Sequence, residues 1–343
     1  MAKPFLSVLI DTYNHERFIE QAILSVLAQD VAEGEREIIV VDDGSTDRTP
    51  EIVRRFEPRV RLIRKTNGGQ ASAFNAGIPA CSGEGIAFLD GDDWWAPGKL
   101  RTVAELFATD AAVGLIGHGI VESFENGGER TVEPEKAERF RLDSFAAARA
   151  FRLRKTYLGT SRMALRARVA RGILPVPETL VIEADEYLFT MAAAVSDVVI
   201  LREALCHYRL HAGSLYQAAA SNKNALKRKQ AVHEALTVAL RRELGVRGVP
   251  RDAVDCVAEI VQLEGAQIRL MLEGGTPWET VRTESKIYEI LHSGAPQTHR
   301  IFRALTMVPA LFLPPRWFYR ARGWAASHRW YGGFRRKYLP MPW

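Results

Sequence analysis

The sequence predicts an α/β fold, a Rossmann-like, mostly parallel sheet flanked by helices, followed by a C-terminal helical region. Three observations carry this. The first half alternates short apolar runs with segments of helical period. Those runs are apolar throughout rather than every second residue, as strands covered on both faces require. After Tyr216 the strand signals stop and long helical patterns follow. With 343 residues, 47% hydrophobic and 25% charged, the chain has the composition of a globular protein and the length for a real core.

Phe5-Leu6-Ser7-Val8-Leu9-Ile10 is the first β-rich run. Residues 16–29 then place Phe18, Ile19, Ala22, Ile23, Val26 and Leu27 at helical spacing. Glu37-Ile38-Ile39-Val40-Val41 is a strand ending in Asp42-Asp43-Gly44-Ser45, and Thr46-Asp47 offer caps for the helix beginning near Glu51. Val60-Arg61-Leu62-Ile63 leads to Asn67-Gly68-Gly69 and a helix of small residues through Ala80. Gly85-Ile86-Ala87-Phe88-Leu89 is a fourth strand that runs into Asp90-Gly91-Asp92-Asp93. Beyond it we expect a strand over 113–117, a polar loop over 125–138, a helix over 185–194, and two strands over 198–201 and 205–210. Helices are expected over 217–243, 252–273 and 277–292, with breaks at Gly245 to Pro250 and at Gly274 to Pro277. The domain boundary is placed at residue 216, giving an α/β domain over 1–216 and a helical region over 217–343.

Cys81, Cys206 and Cys256 are far apart and form no CxxC pair, so neither a zinc site nor a disulfide framework is expected. The first residues hold too short an apolar run for a signal peptide, and no stretch offers about 18 uncharged apolar residues. A cytoplasmic location is the expectation. The net charge of +5 is unevenly spread: residues 300–343 hold nine Arg or Lys and no acid, whereas the remainder holds 37 basic and 41 acidic residues. The high pI therefore describes the tail and its partner.

Phe88-Leu89-Asp90-Gly91-Asp92-Asp93-Trp94-Trp95 is the strongest chemical signal. Ligands of parallel sheets sit at the carboxyl ends of the strands. Three carboxylates there repel one another unless a cation neutralises them. Mg²⁺ or Mn²⁺ uses one or two carboxylates and completes its shell with phosphate oxygens and water. A solvated acidic turn is the plainer reading of an isolated DxDD; the preceding strand and the following Trp pair weigh against it. Asp42-Asp43-Gly44-Ser45 stands at the other strand end, where a carboxylate accepts hydrogen bonds from a nucleobase or ribose, or simply builds the turn.

Together the segments resemble the family 2 glycosyltransferases, which have the GT-A fold. The resemblance rests on Ser7-Val8-Leu9-Ile10-Asp11-Thr12-Tyr13-Asn14 with Phe18-Ile19 and Ser25-Val26-Leu27-Ala28-Gln29; on residues 38–49; on Asn67-Gly68-Gly69 with Ala73 and Asn75-Ala76-Gly77; and on residues 83–94 through Pro97 and Lys99-Leu100. It spans roughly residues 5–105 in order. It implies an inverting transferase that uses a nucleotide diphosphate sugar and a divalent metal, Mn²⁺ or Mg²⁺. Thr12 and Tyr13 would then line the base pocket, Asp43 would contact the base with Asp42 close by, and Asp90 and Asp92 would bind ribose and metal-diphosphate. The family usually has Pro or a small residue where this chain has Asp11.

The family's catalytic base opens a later helix, and the matching stretch is Val181-Ile182-Glu183-Ala184-Asp185-Glu186-Tyr187-Leu188. The resemblance favours Asp185, with Glu183 as the fallback. One carboxylate suffices to take the acceptor hydroxyl's proton. Acids opening a helix also simply complement its dipole. His207-Tyr208-Arg209-Leu210-His211 resembles the segment that closes such domains, with Arg209 a diphosphate ligand and His211 a ligand of diphosphate or metal. His207 and His211 as a zinc pair lack a third ligand, and a strand separates them.

From Leu311 to Trp343 the tail interleaves Arg with aromatics, including four of the seven Trp. Trp and Tyr favour the membrane interface and Arg is drawn to anionic headgroups. The expected partners are thus a nucleotide diphosphate sugar, a saccharide or lipid-linked acceptor of surface polysaccharide or glycolipid synthesis, and an anionic membrane through residues 311–343; nucleic acid is not expected, although single strands also attract Arg and aromatics. A segment folded onto its own helices is the plainer reading of the tail. A sugar-nucleotide-binding scaffold without catalysis and a nucleotidyltransferase are the alternative functions.

Overall fold

The structure, a computed structural model, describes residues 5–125, 127–211 and 222–327. The first four strands are β1 (Leu6–Thr12), β2 (Arg36–Asp42), β3 (Arg61–Arg64) and β4 (Gly85–Asp90), all parallel in the order β3-β2-β1-β4. Between them lie α1 (Ile19–Leu27), α2 (Thr49–Arg54) and α3 (Gln70–Ala80). The sheet continues through β9 (Ala164–Arg166), which pairs antiparallel with both β4 and β6 (Val113–Phe124). Next comes β10 (Asp197–Leu210), parallel to β6, and then the two-residue β5 (Trp94–Trp95). The result is a mixed sheet whose strands are mostly parallel, as the GT-A expectation requires.

Alternation along β1 fixes its two faces. Leu6, Val8 and Ile10 join a buried cluster with Ile19, Ile23 and Val26 of α1, Val53 of α2, and Val103 and Phe107 of α4 (Lys99–Thr109). On the other face Leu9 meets α3, which approaches so closely that a Cβ at Gly77 would stand 2.5 Å from Leu9 Cδ1. Phe74 of α3 contacts Phe88 of β4 edge to face, with ring centroids 5.6 Å apart. Helices α6 (Ala167–Ile173) and α7 (Ala184–Val195) also follow β9 in the chain.

Three expectations need correction. The strand expected over 113–117 extends to Phe124 as β6, because β10 and the short strand β7 (Glu129–Val132) flank it. That β7 lies inside the stretch expected to be a polar loop. Its Glu129, Arg130 and Thr131 are polar and exposed, which hides a strand from an apolar-run criterion. The two strands expected over 198–210 are one, β10, interrupted by register shifts at Leu201/Ala204 and Ala204/His207. Arg202 and Glu203 break the apolar run there without breaking the strand. A short strand, β8 (Glu138–Phe140), pairs antiparallel with β10.

The chain divides into two compact units. The sheet unit takes residues 1–143, 155–217 and 246–249; the helical unit takes 144–154, 218–245 and 250–343. A cut at 216 alone thus misses α5 (Phe145–Arg154), which belongs with the helices: the buried Arg152 is ion-paired with Glu264 at 2.8 Å. The rest of the helical unit is α8 (Lys223–Val246), α9 (Arg251–Glu273), α10 (Pro277–His292), α11 (Gln297–Phe312) and α12 (Pro315–Ser327). Thr276 and Glu279 close a reciprocal capping box at the start of α10, satisfying two orphan donors. Residues 217–221 and 328–343, included in the expected helical region and tail, lie outside the described residues.

Candidate active site

The strand ends of β1 and β4 stand side by side, with Asp11 opposite Asp90 in parallel register. The chain then turns at Gly91, whose N–H donates to the Asp11 carbonyl at 2.9 Å. A Cβ at Gly91 would lie 2.5 Å from Thr12 Oγ1 and 2.8 Å from His15 Nδ1. Only glycine permits this approach. It lets Asp90 and Asp92 point to different partners.

Asp90 accepts a hydrogen bond from Ser161 Oγ at 3.2 Å, and its own N–H donates to the same oxygen at 3.0 Å. Burial, followed by the negative neighbours Asp11, Asp93, Asp92 and Asp185, pushes its carboxyl well above the usual range. Burial likewise pushes Asp11 up to about 8 and Asp93 up to about 7. Asp92 goes the other way. Burial would raise it, but the hydrogen bond from His211 and the nearby His15 and His211 outweigh that and bring it below the usual value. His211 Nε2 stands 3.1 Å from Asp92 Oδ2, and His15 Nε2 stands 3.9 Å from the same oxygen.

Asp185 sits at the start of α7, preceded by Glu183 in the left-handed region (φ 56). Its Oδ2 accepts from Thr160 N at 3.0 Å and Thr160 Oγ1 at 3.3 Å, and its Oδ1 accepts from Glu186 N at 2.9 Å. Burial first, then Glu183, raises its carboxyl. Asp11, Asp90 and Asp185 all act on one another electrostatically, so β1, β4 and α7 bring their carboxylates to one place.

Asp43 is joined to the same place through the loop after β3. Its carboxylate accepts from Lys65 Nζ (2.6 Å), Gly68 N (3.0 Å), Gly69 N (2.7 Å) and Asn67 Nδ2 (3.1 Å). Gly69 has φ +84 and starts α3, and a Cβ there would lie 2.6 Å from the Val181 backbone. The next residue, Gln70, donates to Thr160 Oγ1 at 3.1 Å and accepts from Ala184 N at 2.9 Å. The loop held by Asp43 thus reaches the residues that orient Asp185.

Other expected site residues stand as follows. Tyr13 is exposed, whereas Thr12 is buried and its Oγ1 lies 3.2 Å from His15 Nδ1. Asp42 offers no surface to a ligand: it is fully buried, accepts from Ser45 N at 3.0 Å and faces Arg64 Nε at 3.2 Å. Its place beside Asp43 is as expected, but it builds the turn. Arg209 lies between the Phe18 and Trp94 rings, 4.7 and 4.4 Å from their centroids, and donates to the Asp92 carbonyl at 2.8 Å. The His207 ring stacks on Trp94 at 4.7 Å. Arg209, Phe18, Trp94 and Phe124 line a cleft of about 500 Å³.

Among the described residues no group of three or more His, Cys, Asp and Glu side chains is arranged to hold a metal ion. The expected ligands Asp90, Asp92 and His211 therefore do not form a three-donor set, because Asp90 turns to Ser161 while Asp92 turns to His211. What the strand ends do provide is an excess of carboxylate over cation, with Asp92 and His211 as one adjacent pair. That donor set fits a hard divalent ion that draws most of its ligands from a diphosphate and water.

Residues that sequence reasoning missed are Ser161, Thr160, Gln70, His15 and Lys99. Lys99, fully buried, donates to the Ser161 carbonyl at 2.7 Å and lies 4.2 Å from the Trp95 ring centroid. The strongest available signal was the Lys99-Leu100 pair itself, a cation opening an amphipathic helix.

A mixed, mostly parallel sheet flanked by helices, with acids gathered at its strand ends, is the architecture of GT-A glycosyltransferases, and the comparisons with known proteins agree. Residues 7–173 match the family Glycosyl transferase family 2. An uncharacterized glycosyltransferase of Nostoc sp. (strain PCC 7120) is 34% identical over 224 residues, covering 63% of this chain and 68% of that protein. The chain belongs to glycosyl transferase family 2 and is a transferase. Among solved structures, the mannosyltransferase PcManGT from Pyrobaculum calidifontis, in complex with GDP-Man and Mn²⁺, shares the fold with TM-score 0.55 and 20% identity, over 92% of this chain and 83% of that one. S. aureus TarS 1-349 in complex with UDP-GlcNAc does so with TM-score 0.53 and 18% identity, over 84% and 90%.

Proposed function

We propose that the protein transfers a sugar from a nucleotide diphosphate sugar to a saccharide or lipid-linked acceptor with inversion, in surface polysaccharide or glycolipid synthesis. The observation that carries the reading is the placement of Asp185. Its carboxylate is fixed by two hydrogen bonds from Thr160 and shares one electrostatic neighbourhood with Asp90 and Asp92. A single displacement needs one oriented base and one anchored leaving group, and these acids supply both.

In this reading Asp185 takes the proton from the acceptor hydroxyl as that oxygen attacks the anomeric carbon. The bond to the diphosphate breaks on the opposite side. Thr160 keeps the carboxylate oriented, and burial beside Glu183 raises its basicity. Asp92 with His211 would hold a divalent cation, Mn²⁺ or Mg²⁺, with Asp90 near the ribose; when bound, such a cation offsets the charge that grows on a leaving diphosphate. Tyr13 and the Asp43 loop would flank the base, and Arg209 would serve the diphosphate from beside Asp92. The donors held by the mannosyltransferase and by TarS support the donor class. An anionic membrane surface, engaged through residues 311–343, would hold a peripheral enzyme near lipid-linked acceptors. Among the described residues no helix is long and apolar enough to cross a membrane.

The test is a panel of nucleotide diphosphate sugars with Mn²⁺, read by thermal shift and by release of the nucleoside diphosphate. A donor that stabilises the protein and is slowly hydrolysed, with hydrolysis lost in Asp92→Ala, supports the reading. Release of pyrophosphate from a nucleoside triphosphate would instead establish a nucleotidyltransferase, and binding without turnover a scaffold.

A further inference from the structure

Helix α11 is amphipathic in an unusual direction. Its inward face is set by His299 and Ala310, 6% and 0% exposed, and Ala310 shares a buried cluster with Leu270, Phe318 and Tyr319. Residues that recur every three or four positions share one face of a helix. Ile301, Leu305, Val308 and Phe312 do so on the face opposite Ala310, and they are 55%, 64%, 45% and 77% exposed. Four large apolar side chains in one line thus point away from the helical unit. Trp317, at the start of α12, is 62% exposed. Scattered exposed apolar residues need no account, but a contiguous stripe marks an interaction surface.

The charge around the stripe selects what it meets. After Glu289 the chain holds nine Arg or Lys and no Asp or Glu. Arg300, Arg316 and Arg320 are exposed on α11 and α12, and Arg320 lies 6.0 Å from the Trp317 ring centroid. A second copy docked stripe to stripe would bring two acid-free, cationic segments together. Residues 328–343 carry Arg329, Arg335, Arg336 and Lys337, so they have the same sign as the surface they would cover. An anionic lipid surface supplies both an apolar layer and the opposite charge. Sixteen residues make a helix of about 24 Å, short of the roughly 30 Å hydrocarbon core, so the helix lies on a bilayer rather than through it.

We propose that α11 docks on an anionic membrane through Ile301, Leu305, Val308 and Phe312, with Trp317 and the exposed arginines at the headgroup level. This deepens the membrane part of the proposed function and rests on it. It places the contact on the outward face of α11, ahead of most of the basic aromatic tail.

The test uses the full chain, sedimented with vesicles of phosphatidylcholine alone or with about 30% phosphatidylglycerol. The variants are Leu305→Glu with Phe312→Glu together, and a truncation after residue 327. Both substituted side chains are exposed, so unchanged helical circular dichroism is expected. The full chain should bind the anionic vesicles at least about tenfold better than the neutral ones, and the double variant should lose about tenfold or more of that binding. The truncation should retain part of it. No binding by the full chain overturns the membrane reading and the stripe with it. Full binding by the double variant, with loss on truncation, overturns the stripe alone and leaves the tail. A dimer seen by sedimentation velocity without lipid and dissolved in the double variant makes the stripe a copy-to-copy interface. Tighter binding or self-association after truncation makes residues 328–343 its cover. Donor hydrolysis read on the same samples keeps the glycosyl-transfer reading separate from all of these.

Discussion

The two units bury acid in opposite ways. In the helical unit Glu284 is 1% exposed and is matched by Arg303 at 2.6 Å, Arg322 at 2.7 Å and Gln267 at 2.5 Å. Burial would raise its carboxyl, but Arg322 and Arg303 bring it below the usual value. In the sheet unit Asp11, Asp90, Asp93 and Asp185 are held above the usual value, and among the described residues Arg162, which acts on Asp93 and Asp185, does not bring them down as the arginines do Glu284. A buried charge that serves structure is neutralised by the protein itself. A group left under mutual repulsion marks a candidate site for something that arrives from outside.

The largest expected effect breaks the comparison on the sheet side. Asp185→Asn should lower transfer by about 10²–10⁴-fold while donor binding stays within a few-fold of wild type. Single-turnover transfer and titration calorimetry measure the two quantities; parallel loss of both would assign Asp185 to binding. On the helical side, Glu284→Ala removes the buried carboxylate shared by the mostly buried Arg303 and the partly exposed Arg322. It should cost about 1–3 kcal/mol in denaturant unfolding of the helical unit, whereas donor hydrolysis per folded molecule is unchanged. A neutral result would place Glu284 outside the stabilising network.

A smaller effect sharpens the role of Glu183. The base works deprotonated, so transfer is lost as pH falls through the raised Asp185 value. Glu183→Gln removes a negative neighbour that raises it. The acid limb of the pH–rate profile should therefore move to lower pH. An upward move would contradict the sign, and an unmoved limb would mean that another group limits the rate.

A further prediction concerns Lys99, which burial brings down to about 7. Below that pH the folded protein carries the full cost of a buried ammonium. Between pH 7 and about 10 the unfolded chain holds a proton that the folded chain does not, so stability from this group rises with pH. Lys99→Met should flatten that slope in pH-dependent thermal unfolding. An equal slope in both proteins would show that Lys99 is not its source.

The parts that were legible are those whose chemistry is local. Asp90-Gly91-Asp92-Asp93 follows an apolar strand, and crowding of acids announces itself within one motif. Asp42 and Asp43 show where this fails. At a strand end adjacent residues point to opposite sides, and spacing alone does not say that Asp42 turns inward to Ser45 while Asp43 holds the glycine loop. Thr160 and Ser161 were not readable at all. They reach Asp185 and Asp90 because β9 inserts antiparallel between β4 and β6, a pairing that three residues of strand do not signal. The α11 stripe was also missed, since no helix was expected over 297–312 and the sequence does not say which face of the last helices is covered.

The central claim is that the strand-end acids hold a cation together with a nucleotide diphosphate. It is tested most directly by calorimetric titration of a donor's nucleoside diphosphate into wild type and Asp92→Ala, each with Mn²⁺ and with a chelator. The account predicts that Mn²⁺ tightens binding by at least about tenfold in the wild type and has little effect in Asp92→Ala. Equal affinity in all four titrations would contradict it.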